Sequence, residues 1–552
     1  MKKTPKAFRR LAFIATRWVQ PNVDAFLSAE APKLWSLAVF AGIAGGLVAI
    51  AFRTAISFVQ FLWIGTGEES FGAVIATLPP WAVVAGPTAG GVVVGLILLL
   101  WRPSGRAGGV ADIIEACSHQ SLSDVKRLNL KDAAIATSIS AITLGSGGSA
   151  GREGPVVYFA GAVSKSLFRT FSMPPSARRV MLACGVAAAI SASFNAPIAG
   201  VLFAHEVILA HFAMSAFVPV VIAAVMGAIM SRLWFGEAPA FVIPDYQITS
   251  YLEIPAFALL GLTCAVVAIL FQVSLIGTDW LARFLPLKNW VRPMLGGLLV
   301  GLIALAFPQV LGVGYDATDQ ALSNSLGLWT MLALIIAKTA ATAITLGSRM
   351  GGGVFSPALY IGAMTGGAFG LIAASFFPEL ASSEGLYALI GMGAVAAAVL
   401  GAPISTAVMI FELTGGFAFS MALLFSVSIA TGLSQAIMGR SYFHWQLNSR
   451  GIMLGEGPHR HFAQYFRVRD FMTPLAEGEE PTPFDIASGE PWLRPNDTLE
   501  AALRAFDSSG SDRLPVLDGK PHERVHVGWA SHVRALSSFN KALVDKSQEE
   551  HV

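Results

Sequence analysis

Charge is what this sequence has least of. Only 13% of its 552 residues are Asp, Glu, Lys or Arg, while 54% are hydrophobic; an average soluble protein is about 25% charged. A water-soluble fold with so large a core needs a polar surface that this chain does not supply, so the composition points to lipid as its solvent. Cysteine is nearly absent. Cys117, Cys184 and Cys264 are odd in number, scattered, and in or near apolar stretches. That excludes a disulfide framework and a thiolate metal site, and leaves three small buried hydrophobes. The net charge of +2 gives no reason to invoke nucleic acid. There is no HExxH or Walker loop, so neither a zinc-protease nor a P-loop nucleotide motif is present.

What is there is apolar sequence, almost continuous from Leu34 to Met438. Several stretches are shorter than the ~20 residues of a full span, and Gly and Pro interrupt many of them. Broken helices persist at membrane depth only where they are buried in protein or line a cavity. We therefore expect a transporter or channel built partly from half-helices, with a membrane domain over residues 34–440. Residues 1–33 begin MKKTPKAFRR and read as a basic arm held at the cytoplasmic face, because the apolar run Leu11–Thr16 is too short for a signal peptide. Beyond Arg440 the composition turns polar. Residues 441–466 read as a linker and 467–552 as a small α/β module, with a helix Leu499–Phe506 capped by Asp497 or Thr498 and strands at Leu514–Leu517 and Val527–Ala530.

The membrane domain contains an internal repeat. AITLGS occurs at Ala141–Ser146 and again at Ala343–Ser348, 202 residues on. In the same register Gly145 matches Gly347, Gly151 matches Gly353, Pro155 matches Pro357 and Tyr158 matches Tyr360. Asn195-Ala196-Pro197-Ile198 then matches Gly401-Ala402-Pro403-Ile404, and a glutamate, Glu206 or Glu412, follows each of those prolines by nine residues. Duplication marks secondary-transporter folds, whose sites lie at the repeat interface between half-helix ends. The halves run over about 34–235 and 254–440; inverted and parallel repeats both fit the pattern.

Gly145-Ser-Gly-Gly-Ser-Ala-Gly151-Arg152-Glu153-Gly154-Pro155 opens an apolar helix. Pro155 suits a first helical turn, where its missing N–H costs nothing. The glycines allow close approach of backbone N–H groups, and a helix N-terminus carries about +0.5 of a charge, which attracts anions. Such a site holds a halide without a full cation that would trap it. A carboxylate there, Glu153, is expensive inside a membrane. It can imitate the anion: ionised, it occupies the donors; protonated, it leaves. The alternative is a charge that only complements the helix dipole. Gly351-Gly352-Gly353-Val354-Phe355-Ser356-Pro357 repeats the design without the acid, offering the N–H groups of Val354 and Phe355. For Glu206 and Glu412 we place helix-end or interhelical hydrogen bonding ahead of ion transport.

Gly151-Arg152-Glu153-Gly154-Pro155 resembles the GREGP motif of the CLC chloride channels and chloride/proton exchangers, and Gly353–Pro357 is similar to that family's GxFxP motif. Ala196-Pro197, Leu202–Glu206 and Arg440–Ile452 also fall where the family places such segments. The resemblance covers about residues 34–452. It implies an all-α polytopic membrane protein with a CLC-type inverted repeat of tilted and broken helices. It also implies a homodimer with one anion pathway per subunit, and both termini in the cytoplasm, here of a bacterial inner membrane. Glu153 becomes the external gating glutamate. Gly151, Arg152, Gly154, Pro155, Gly353, Val354 and Phe355 become the anion-binding segments, with bound chloride and no other cofactor.

Three departures stand out against that resemblance. The family's first motif aligns with Ala107-Gly108-Gly109, so Gly108 replaces a serine whose hydroxyl binds the central anion, beside Gly109. The pore tyrosine aligns with Phe443, so a second hydroxyl is missing unless Tyr442 supplies it. The exchangers' internal proton-relay glutamate aligns with Val207, next to Glu206. Val207 favours channel-like, acid-gated conduction; Glu153 and the bacterial look of the chain favour chloride/proton exchange. A membrane sensor with a vestigial pore is the reading from another class. Pro155 argues against the fluoride-exporting branch. The C-terminal module resembles one copy of a CBS domain, through Asp497-Thr498-Leu499, Asp512–Asp518 and Val527–Ser531. A single copy suggests pairing across a dimer axis, and Arg534, where an acid often holds a ribose, argues against tight nucleotide binding.

Overall fold

A computed structural model describes residues 31–65, 71–75, 77–101, 106–118, 128–173, 177–237, 248–452, 466–475, 491–519 and 525–540, with a few single positions between them. Most of the expected N-terminal arm, and residues 453–465 of the expected linker, lie outside the described residues. The chain divides into two compact units, the first running to Gln446 and the second beginning at Leu447.

The first unit is helical throughout. Its first half contains α1 (Ala31–Ile64), α2 (Phe71–Ile75), α3 (Pro80–Trp101), α4 (Val110–Ser118), α5 (Leu130–Gly145), α6 (Glu153–Thr170), α7 (Ala177–Phe194), α8 (Pro197–Phe203, continued by a π turn Ala204–Leu209) and α9 (Met214–Phe235). The second half contains α10 (Ile254–Phe284), α11 (Arg292–Ala306), α12 (Tyr315–Leu322), α13 (Leu328–Gly347), α14 (Phe355–Phe376), α15 (Glu384–Leu400), α16 (Pro403–Thr414), α17 (Ser420–Met438) and α18 (Tyr442–Asn448). Among the described residues, eight helices are long and apolar enough to cross a membrane. The protein is an integral membrane protein. α18 begins inside the segment read as a linker.

Local chemistry explains the breaks. α15 ends at Gly401, whose φ of +68° closes the helix, and α16 restarts two residues later with Pro403 in its first turn. α8 also starts on Pro197, and α11 carries Pro293 in its first turn. Chain reversal followed at once by a proline yields half-helices, as the Gly/Pro pattern predicts. α15 is buried on every side from Leu386 to Leu400, which is possible because it carries no charge over that length.

The repeat reaches further than AITLGS and the glycine and proline matches that follow it. Gly90, Gly91 and Gly95 of α3 correspond to Gly296, Gly297 and Gly301 of α11, each pair 206 residues apart. A Cβ on Gly91 would lie 2.2 Å from the Pro293 carbonyl oxygen, and one on Gly297 would lie 2.0 Å from that of Pro87. Small residues let these two backbones touch, the usual device for packing helices in lipid.

The second unit holds a short antiparallel sheet, β1 (Thr473–Pro474), β2 (Arg513–Asp518) and β3 (Val525–Ser531), in the order β1-β3-β2. Helix α19 (Leu499–Ser509) packs Leu499, Ala502 and Phe506 against Leu514, Val516 and Ala530. Of the two expected caps it is Thr498 whose hydroxyl accepts from Ala501 N–H, at 3.1 Å. Arg534 donates to Thr473 Oγ1 at 2.8 Å. This is the small α/β module the sequence pattern calls for.

Candidate functional site

The two glycine segments that open α6 and α14 cross at one point. Gly151 N–H donates to Gly353 C=O and Gly353 N–H donates to Gly151 C=O, both at 2.7 Å, as an antiparallel bridge. The same exchange recurs nearby: Ser149 N–H donates to Thr345 Oγ1 at 3.2 Å and Gly351 N–H donates to Thr143 Oγ1 at 3.3 Å. Thr143 and Thr345, like Ser149 and Gly351, are 202 residues apart. Reciprocal bonds between equivalent residues define a local two-fold relation, and the antiparallel crossing is the arrangement an inverted repeat requires. Gly151 and Gly353 therefore spend their N–H groups on each other; neither is a free anion donor in this conformation.

Glycine is obligatory at this crossing. A Cβ on Gly352, whose φ is +150°, would sit 2.3 Å from Ala150 Cβ. The donors left over are first-turn N–H groups of α6 and α14, which have no partner inside their own helices. Two positive helix ends meet here, and Glu153 lies over them. Its side chain is 2% exposed. Oε1 accepts from the hydroxyl of Ser356, in the first turn of α14, so the acid of one repeat is held by the hydroxyl of the other. Oε2 has no partner among the described residues. It lies 2.4 Å from where a Gly151 Cβ would be and 3.3 Å from that of Gly353. The carboxyl thus fills the crossing.

Neighbouring groups fix this arrangement. Arg152 donates to Ser193 C=O at 3.0 Å, and its guanidinium stands 4.9 Å from the centre of the Tyr315 ring. Phe355 packs between Phe194 and Phe203, at ring-centre distances of 5.0 and 6.5 Å. Lys338, wholly buried in α13, donates to the carbonyls of Val310 and Gly312 at 3.0 Å each. Those carbonyls belong to the loop that leads to Tyr315, and Gly312 N–H reaches Gly147 C=O at 3.4 Å. Sequence reasoning passed over Lys338, although a lone lysine in the run Met331–Leu346 is visible. It also passed over Ser356, whose role depends on a residue 203 positions away.

The other expected site residues are distributed differently. Gly109 N–H donates to Asp112 Oδ2 at 2.8 Å, so it too already has a protein partner; Asp112 Oδ1 pairs with Arg106 at 3.4 Å. Tyr442 and Phe443 are both buried on α18, where the Tyr442 hydroxyl accepts from Gln446 at 3.2 Å. Val207 sits in the π turn that follows α8. Glu206 beside it accepts from Ile404 and Ser405 N–H at 3.1 and 2.8 Å, while Glu412 accepts from Ile198 and Ala199 N–H at 3.0 and 2.7 Å. Each glutamate caps the helix that carries the other, a second two-fold exchange. A carboxylate is well placed at the positive end of a helix, and these two tie α8 to α16.

Cys117, Cys184 and Cys264 are free and buried. Among the described residues no group of His, Cys, Asp and Glu could hold a metal.

Residues 90–435 match the family model described as voltage gated chloride channel. A Ralstonia nicotianae protein named putative chloride channel protein ClcB-like is 33% identical over 387 residues, spanning 69% of this chain and 88% of that protein. An H(+)/Cl(-) exchange transporter ClcA of Citrobacter koseri is 29% identical over 416 residues, spanning 74% of this chain and 86% of that protein. Among solved structures, a slow cyanobacterial Cl-/H+ antiporter superposes with a TM-score of 0.67 at 22% identity, over 76% of this chain and 98% of that one.

Proposed function

Since the chain belongs to the voltage-gated chloride channel (CLC) family, we propose that it carries chloride or a similar small anion across a membrane, with Glu153 as the gate and weak or no coupling to protons. The observation that carries this reading is the Glu153 carboxyl seated in the Gly151–Gly353 crossing and held by Ser356 of the other repeat. An anion arriving at the crossing meets the same two helix ends and the same hydroxyl. Both cannot be occupied by two negative charges at once, so the carboxylate competes with the anion for them. Protonation removes its charge and with it the attraction to the helix ends.

Weak coupling is supported by the chemistry at 206 and 207. Val207 carries no titratable group. Glu206 is engaged at both oxygens by backbone N–H groups, and a carboxylate held in that way is a poor substitute relay. The lone CBS-like copy supports pairing across a homodimer, and Arg534, standing where an acid often holds a ribose, supports the absence of tight adenine nucleotide binding.

The test is chloride efflux from liposomes containing the purified protein, with external pH recorded in the same run. Chloride flux with no proton movement is the expected result. Uphill proton movement driven by a chloride gradient would replace this reading with chloride/proton exchange. No anion flux of any kind would favour the sensor with a vestigial pore.

A further inference from the structure

Gly108 has no room for a side chain, and the group that fills its space is a tyrosine. A Cβ at Gly108 would lie 2.4 Å from both Cε1 and Cζ of Tyr158, and 2.7 Å from its Cδ1. One edge of the ring, from Cδ1 to Cζ, lies there, so the hydroxyl, one bond beyond Cζ, is near the start of α4. Tyr158 is 1% exposed and lies on α6 five residues after Glu153, about 7.5 Å further along the axis.

The other repeat contains the same junction. Tyr360 is the equivalent of Tyr158, 202 residues on. A Cβ at Gly314, which precedes α12 as Gly108 and Gly109 precede α4, would lie 2.7 and 2.9 Å from Cδ2 and Cε2 of Tyr360. Tyr360 is 0% exposed, and its hydroxyl has no partner among the described residues. Buried hydroxyls without a partner are rare, because losing water without replacement is costly. Lys338 Nζ stands 5.0 Å from the centre of the same ring.

The surroundings place these junctions by the gate. Tyr315, next to Gly314, lies under the Arg152 guanidinium, one residue from Glu153. Gly312 is bonded to Gly147 in the loop that leads into α6. The Gly314–Tyr360 junction therefore borders the crossing from one side. The two-fold relation that exchanges Gly151 with Gly353 carries it onto the Gly108–Tyr158 junction, which borders the crossing from the other.

We propose that Tyr158 and Tyr360, one from each repeat, are hydroxyl ligands of the anion path on the two sides of Glu153, and that they set anion affinity and selectivity in a chain that has glycine at 108 and phenylalanine at 443. A tyrosine hydroxyl donates one hydrogen bond whatever else it accepts, so it solvates an anion without adding a charge that would hold it too long. The inference rests on the reading of the chain as an anion carrier.

The experiment is liposome flux with wild type, Tyr158→Phe, Tyr360→Phe and the double variant. It reads the chloride concentration giving half-maximal flux and the chloride-to-nitrate rate ratio. Phenylalanine keeps the ring and its packing, so melting temperatures in detergent stay close to wild type. Each single variant is expected to raise the half-saturating concentration by about two- to tenfold, the worth of one hydroxyl bond, and to change the rate ratio; the double variant is expected to multiply the two effects. Wild-type values in all three variants, with flux intact, would overturn the inference and leave the carrier reading standing. A wild type that moves no anion would overturn the carrier reading and this inference with it.

Discussion

Positions 153 and 355 are equivalent across the 202-residue repeat, yet one holds a carboxyl and the other a phenyl ring packed on Phe194 and Phe203. Around them the backbones match closely enough to exchange hydrogen bonds residue for residue. One residue on, the asymmetry is complementary: the first repeat has Gly154 where the second has Ser356, and that serine holds the acid. Duplication gave two converging helix ends, which make a site for negative charge. Divergence at two side chains then supplied something to occupy it and something to hold the occupant. The scaffold is symmetric, and the gate we propose lies in the departure from symmetry.

The sharpest way to break this comparison is to make the first repeat as neutral as the second. In Glu153→Gln the flux should no longer depend on pH, whereas wild-type flux should rise as pH falls, because protonation empties the crossing. Liposome efflux at a series of pH values measures it, and a variant as pH-sensitive as wild type would refute the gate. Next in size is damage to the shared backbone. Gly352→Ala puts a Cβ against Ala150 at a φ of +150°, and should destabilise the fold by about 2–4 kcal/mol through strain and overpacking, read as a lowered melting temperature in detergent.

A third test sharpens the symmetric side. Glu206→Ala and Glu412→Ala each remove a cap on a helix start and should each cost about 1–2 kcal/mol. The two losses should agree within ~0.5 kcal/mol if the exchange is as balanced as its geometry. A loss confined to one of them, in thermal unfolding, would show that the caps are not equivalent. The smallest effect is expected from Ser356→Ala. It removes one hydroxyl from the Glu153 carboxyl, about 0.5–1.5 kcal/mol, and should raise flux at neutral pH by about two- to tenfold while leaving the pH dependence in place.

Much of this was legible in the chain. AITLGS at Ala141 and Ala343, the shared glycines and prolines, and Glu153 at a helix start required only local rules about which residues open a helix and which are expensive in lipid. GGVVVGL at Gly90 and GGLLVGL at Gly296 carried the repeat into α3 and α11 as well, a signal that was there to be read. Other features had no local trace. Ser356 bonds Glu153, Lys338 bonds the carbonyls of Val310 and Gly312, and Tyr158 fills the space at Gly108. Each joins residues that no helix period relates, so propensity and spacing say nothing of them. Gly151 and Gly353 fall within the expected anion-binding segments because a glycine's usefulness is local, whereas what its N–H meets depends on the partner segment.

The sequence by itself determined that the protein lives in lipid, that its helices break, that its membrane domain is duplicated, and that an acid stands at a helix start, since each follows from composition or from residues a few positions apart. Only the tertiary structure decided that the two glycine segments cross antiparallel, that Glu153 fills that crossing under the hold of Ser356, and that Glu206 and Glu412 cap each other's helices. Those bonds join residues about 200 positions apart, and they form only once the two halves have docked and each half has become the other's hydrogen-bonding partner.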